Sequence, residues 1–390
     1  MIKPRKINDR VTWFGTVDWD RRLFDSLIPL PDGTSYNAYL VKGSKKVALI
    51  DTTDPPFSHE LIKQLEDVPK LDYVISHHAE QDHSGSLPHV LAKYPDAKLI
   101  CSTKAKPMLM DLLRIPEARF QTVEDGQELS LGDRTLKFIY TPWVHWPETM
   151  VTWLKEDKIL FSCDFFGSHI ASSDLYVSDE GRVYEAAKRY FAEIMMPFRQ
   201  IIQKNLEKLE PYEIKMICPS HGAIHKKPEF IVNAYKDWVS DKPKNLAVIP
   251  FVSMHESTRE MVSYLVSALV ERGVEVQQFD IPSSDIGKIA MSLVDAATVV
   301  VGTPTVLAGP HPAAAYATFL ANALRPKTKY LAIIGSYGWG GKTVETLAGM
   351  IPNLKVEVLG TVLAKGLASE ADFKALDELA DKIAEKHKGL

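Results

Sequence analysis

The chain has 390 residues, 45% hydrophobic and 25% charged, with a formal net charge of −4. This is ordinary globular material, long enough for two domains with separate cores. A small negative charge and the lack of any basic run leave no electrostatic footprint for nucleic acid, and no apolar stretch approaches a membrane span or a leader segment. Three cysteines, Cys101, Cys163 and Cys218, occur without any CxxC pair, which excludes a disulfide framework and a rubredoxin-type iron site. All three read as small buried apolar residues, and a cytoplasmic, reducing location is the default expectation.

Short apolar runs separated by turn signals open the chain: Val11 to Phe14, Tyr36 to Val41 and Lys46 to Ile50 read as strands, with Pro31-Asp32-Gly33 as a turn. Asp51 ends a strand and reads either as a support behind a metal site or as an ordinary strand-end cap. Ser58 to Leu65 is expected as a helix and Leu71 to Ser76 as a strand. Next comes Ser76-His77-His78-Ala79-Glu80-Gln81-Asp82-His83-Ser84-Gly85, which gathers three histidines and two carboxylates at the carboxyl end of that strand. Imidazole and carboxylate without thiolate suit iron, manganese or zinc and argue against a closed structural zinc site.

Helices are expected over Ser86 to Lys93 and Ala105 to Leu113, with a strand over Lys98 to Cys101 between them. Strands resume around Leu129 to Phe138, and Val151 to Phe161 reads as a hairpin turning at Lys155-Glu156-Asp157. Three more metal-ligating candidates, His145, Asp164 and His221, each close an apolar strand-like run, so strand ends would deliver all of them to one rim. Phe165-Phe166 is expected to wall the resulting pocket, and Tyr184 to Leu209 to form one long helix.

This succession resembles the metallo-β-lactamase superfold. Hydrolases of that superfold open with His-x-His-x-Asp-His, whereas here Glu80 takes the second place in His78-x-Glu80-x-Asp82-His83. That is the pattern of the flavodiiron proteins, and Gly33 to Leu40 looks like their opening strands. The resemblance implies one iron on His78, Glu80 and His145, a second on Asp82, His83 and His221, and Asp164 bridging them. A carboxylate beside the metal adds negative charge and favours higher oxidation states, which suits a cycling iron. His77, adjacent to His78, would point the opposite way along a strand-like path and reads as supporting or structural. His169 is a candidate proton donor beside the diiron centre or a hydrogen-bonded structural histidine. His225 is not counted as a ligand.

A hydrophilic passage from Asp237 to Asn245 divides the chain. Residues 1–243 are expected as a metallo-β-lactamase-like αββα domain and residues 244–390 as a flavodoxin-like doubly wound parallel sheet. Strands over Leu246 to Val252, Val274 to Phe279, Ala297 to Val301, Tyr330 to Gly335 and Val356 to Val362 alternate with helices, and the closing helix carries Phe373, Leu376, Leu379 and Ile383 on one face. Ser253, Met254, His255, Ser257 and Thr258 precede a helix and resemble a flavodoxin phosphate loop, where hydroxyls and amides suit the FMN phosphate. The loops holding Thr303, Pro304 and Thr305, and Ser336, Tyr337, Gly338, Trp339 and Gly340, resemble those contacting the isoalloxazine ring.

The resemblance implies an enzyme in which FMN relays electrons to two iron ions per chain, reducing dioxygen to water or nitric oxide to nitrous oxide. Asp18-Trp19-Asp20-Arg21-Arg22 and Met254-His255-x-Ser257-Thr258 look similar to the coenzyme F420H2 oxidases of the family, which favours dioxygen. Reduced F420 or a carrier such as rubredoxin is the expected donor. A head-to-tail homodimer, or a dimer of dimers, is the implied assembly. Competing readings are a metal-dependent hydrolase fused to a flavodoxin-like domain, against which Glu80 argues, and a redox-sensing module without turnover.

Overall fold

A computed structural model describes residues 2–390, which form two compact units, residues 2–190 with 198–239 and residues 191–197 with 240–390. The first unit contains a seven-stranded sheet in the order Arg5–Lys6, Val11–Asp18, Thr34–Lys42, Val47–Ile50, Tyr73–Ile75, Lys98–Ser102, Phe120–Val123, and a five-stranded sheet from Glu128–Ser130 to Met216–Pro219. Alternation along the strands sorts the side chains. Leu40, Leu49, Val74 and Leu99 face the helices Ser58–Gln64, Leu87–Lys93 and Ala105–Leu113, while Tyr39, Ile50, Ile75 and Ile100 meet Phe138, Met150 and Phe161 of the second sheet. Burying one such large side chain contributes about 1.5–3 kcal/mol. Cys101, Cys163 and Cys218 are buried and unbridged, as expected.

The strands expected around Leu129 to Phe138 are Glu128–Ser130 and Thr135–Tyr140, which pair across a turn at Gly132-Asp133. One local expectation changes. The long helix expected over Tyr184 to Leu209 is broken: Glu180–Tyr190 gives way to a wide turn, Phe191–Met195, and a tight one, Met196–Phe198, before Arg199–Leu209. Pro197 lacks an amide hydrogen and cannot sit inside a regular helix.

In the second unit five parallel strands lie in the order Glu275–Asp280, Lys244–Phe251, Ala296–Val306, Tyr330–Tyr337, Glu357–Lys365. Numbered along the chain this is 2-1-3-4-5, the flavodoxin order, with its switch point between the first and third strands. Helices Ser257–Glu271 and Glu370–His387 share one face, packing Met261, Leu265, Leu376, Leu379 and Ile383 on the sheet. Ser369 and Asp372 cap the closing helix reciprocally. The third strand runs five residues beyond its expected end and turns back onto Gly309–Pro310, so Gly302 to Pro310 is a hairpin and not an open loop. Among the described residues no helix is long and apolar enough to cross a membrane.

Candidate metal centre

The seven side chains expected as ligands come together in the first unit. His78 and Glu80 lie just beyond strand Tyr73–Ile75, Asp82 and His83 sit on the single helical turn Gln81–Ser84, and His145 lies beyond Thr135–Tyr140. Strands Ile159–Cys163 and Met216–Pro219 pair in parallel, so Asp164 and His221 leave the sheet beside one another.

Two groups result, His78, Glu80, His145 and Asp164 on one side and Asp82, His83 and His221 on the other. In the first, Glu80 Oε2 lies 3.1 Å from His78 Nε2 and 3.0 Å from His145 Nε2. In the second, Asp82 Oδ2 lies 3.3 Å from His83 Nε2 and 3.1 Å from His221 Nε2. Asp164 divides its oxygens: Oδ2 is 3.6 Å from His78 and His145, and Oδ1 is 2.9 Å from His83 and 3.5 Å from His221. Ligands about 2.1 Å from a common ion stand about 3.0 Å apart in an octahedral shell and about 3.4 Å apart in a tetrahedral one. The observed separations are those of coordination shells.

Hydrogen bonding makes the same point. Both oxygens of Asp82 and of Asp164 and both ring nitrogens of His83 are buried without an aligned partner. Such groups cost free energy unless a cation engages them. Burial alone would raise the acids and lower the imidazoles, yet the mutual charges win. His145 and His78 hold Glu80 well below the usual carboxylate range, His83 does the same for Asp164, and Asp164 with Asp82 lifts His83 to about 10. The carboxylates demand positive charge, which imidazole protons or divalent cations can supply. The residues therefore fit two metal ions sharing Asp164.

Partners behind the ligands orient them. His78 Nδ1 donates to Glu148 Oε1 at 2.7 Å, and His221 Nδ1 donates to the Ser35 carbonyl at 2.7 Å, which turns each Nε2 lone pair inward. His77 points away, bridging Asp51 Oδ2 at 2.8 Å and Thr152 Oγ1 at 2.6 Å, so it is structural and Asp51 is the support behind the loop. His169 rests on Thr34 Oγ1 at 2.8 Å through Nδ1 and lies tilted against His221 with ring centroids 4.8 Å apart. Burial, reinforced by His221, holds it well below the usual imidazole range, so it is a neutral partner. His225 bonds the Phe166 carbonyl and lies outside both groups.

Phe165 and Phe166, expected as an aromatic wall, are fully buried, stacked on one another with ring centroids 4.0 Å apart and edge-on to Tyr235. Aromatic cover comes from Trp146, edge-on to His78 at 4.9 Å, and from Tyr36 and Tyr190 against His221. Sequence reasoning missed Trp146 and Glu148. Their proximity to His145 in the chain was the available signal, but partnership with His78 exists only in three dimensions.

In the second unit the three loops expected to meet a flavin leave the carboxyl ends of adjacent strands around the switch point. Ser336 Oγ lies 2.8 Å from Ser257 Oγ and 3.2 Å from Thr258 Oγ1, tying two of the loops together at a helix amino terminus. Ser253 Oγ accepts from the Arg259 amide, and Thr303 Oγ1 accepts from the His311 amide. Thr305 Oγ1 meets Thr343 Oγ1 at 2.7 Å, and Pro304 is buried within its strand. Tyr337 is half-buried, whereas Met254, His255, Gly338, Trp339 and Gly340 are exposed at the rim. A side chain at Gly338 or Gly340 would meet nothing within 4 Å, so these positions leave the backbone open to close approach by a ligand.

Comparison with known proteins agrees with this geometry. Residues 34–222, which include every residue of the two metal groups, match the family described as ODP family beta lactamase. The chain is 36% identical to a nitric oxide reductase of Moorella thermoacetica, covering 98% of this chain and 99% of that protein, and 32% identical to a coenzyme F420H(2) oxidase of Methanothermobacter marburgensis, covering 91% of each. Among solved structures, the rubredoxin oxygen:oxidoreductase of Desulfovibrio gigas superimposes with a TM-score of 0.95 at 31% identity over 99% of both chains. With its metal-ligand groups, its flavodoxin-order sheet and full-length relatives of this kind, the chain belongs to the flavodiiron protein family of oxidoreductases.

Proposed function

We propose that this protein reduces dioxygen to water, with two irons held by the seven-residue constellation and FMN held by the three loops of the second unit. One observation carries the reading: Glu80 occupies the place where hydrolases of the superfold have histidine, and its carboxylate lies within 3.1 Å of two imidazoles. Three carboxylates then oppose two divalent ions, which favours oxidation over Lewis-acid hydrolysis. When bound, iron and flavin supply the electrons. The chain's own residues bind and orient: Glu148 and Ser35 fix the tautomers of His78 and His221, while Trp146, Tyr36 and Tyr190 keep the ligand rings in apolar surroundings. His169, neutral and hydrogen-bonded to Thr34, is our candidate for passing a proton toward the substrate.

Reduced F420 or a rubredoxin-like carrier is the proposed donor, since relatives bear both names. A cytoplasmic head-to-tail homodimer, bringing one copy's flavin to another's irons, completes the proposal. Nitric oxide reduction is the second reading, favoured by the name of the 36% identical relative. Iron, zinc and FMN per chain, then consumption of each gas by the chemically reduced protein, test all of this. Two irons with faster dioxygen consumption support the first reading, and faster nitric oxide consumption supports the second. Two zincs persisting after iron-supplemented expression would overturn both.

A further inference from the structure

The two metal groups match in donor type, each having two imidazoles, one carboxylate of its own and a share of Asp164. What differs is the support behind the imidazoles. His78 Nδ1 meets Glu148 Oε1 at 2.7 Å, and that same oxygen accepts the Ala79 amide at 2.9 Å, so Glu148 grips both the ring and the backbone of the ligand loop. Glu148 is 2% exposed and its Oε2 has no hydrogen-bond partner. In the second group, His221 is backed by the neutral carbonyl of Ser35, and His83 Nδ1 has no partner. Two other carboxylates stand near that group, but each is engaged elsewhere. Asp51 accepts from His77 and Ser220, and Asp54 pairs with Arg21 at 3.2 Å.

A carboxylate behind an imidazole makes its inner nitrogen a stronger donor than a carbonyl does, and holds the ring in place before metal arrives. We propose that Glu148 is a positioning residue that makes the His78–Glu80–His145 half the tighter of the two iron sites, so that the centre fills and empties in order. This rests on the diiron reading above. An order of filling matters chemically, because a half-loaded centre is then always the same half. A buried carboxylate with an unmet oxygen would otherwise be a costly device for holding one loop.

The test uses the full-length protein stripped of metal and titrated anaerobically with Fe(II) against a ferrous chelator. Wild type is expected to bind two irons with separable affinities. Glu148→Gln keeps an acceptor for His78 and Ala79 but loses the charge, whereas Glu148→Ala loses both. The tighter equivalent should weaken by about 10–100-fold in Glu148→Ala and by less in Glu148→Gln, with the weaker equivalent moving less than about threefold. Should the alanine variant fail to fold, the glutamine variant alone decides, with its metal-free melting curve as the control. Equal weakening of both equivalents, or an unchanged tighter one, would overturn the role of Glu148. Failure of wild type to take up two irons would instead sink the diiron reading.

Discussion

His225 offers a quantitative test of how the first unit is packed. Its ring is 1% exposed, Nε2 meets only the Phe166 carbonyl at 3.3 Å, and Nδ1 has no partner. Burial pushes the imidazole down to about 4, with the Phe166 carbonyl opposing weakly. In the unfolded chain it titrates near 6.5. The unfolded state therefore binds the proton more readily, and the stability tied to a neutral His225 is complete above pH ~6.5 and lost as the pH falls toward 4. At pH 4.5 the loss is about 2–3 kcal/mol. In His225→Gln the amide can still donate to Phe166 but cannot charge. Thermal melts of wild type and variant at pH 7.5 and 4.5, both metal-free, should show the difference between them shifting by about 2–3 kcal/mol in the variant's favour at the lower pH. At about 2–4 °C per kcal/mol this is roughly 4–12 °C. A difference that stays constant across that range would refute the burial of a neutral imidazole at this position.

Removing metal should selectively destabilise the first unit: an ion present at about 1,000 times its dissociation constant contributes about 4 kcal/mol, so calorimetry with and without a chelator should move one transition by roughly 8–16 °C and leave that of the second unit in place. Asp164→Asn, which removes a charge presented to both groups, should cut retained iron from two per chain to one or fewer after dialysis, measured by mass spectrometry. Ser336→Ala deletes the hydroxyl shared by Ser257 and Thr258 and should weaken FMN binding about tenfold, read from flavin fluorescence on dilution. Phe161, 1% exposed and 5.2 Å from Tyr39 between the two sheets, should cost about 3–5 kcal/mol when changed to alanine, measured by urea unfolding.

The ligand residues are legible in the chain because they follow short apolar strands, directly for Asp164 and closely for His221, and through a loop or a single helical turn for the others, and strand ends in a layered fold share a rim. Periodicity carries the second unit equally far: strict alternation of apolar strands with helices leaves few topologies, and the 2-1-3-4-5 order is the one found. The supporting part of His77 can be read from its place beside His78 alone, since neighbouring residues on an extended path point opposite ways.

What the sequence determined by itself was local: which side chains can bind metal, where strands end, and that Glu80 replaces a histidine. Only the tertiary structure decided what stands behind those side chains. Glu148 lies 70 residues from His78 and Ser35 lies 186 from His221, and no periodicity encodes such pairings. Pro197 was visible, but whether it would end, kink or divide a helix depended on packing around it. Phe165 and Phe166 were visible too, yet their stacking on one another and against Tyr235, 70 residues on, exists only in the folded chain. Composition and pattern reach as far as the next hydrogen bond along the chain. The bonds that orient this centre cross between strands and sheets, and those exist only once the core has closed.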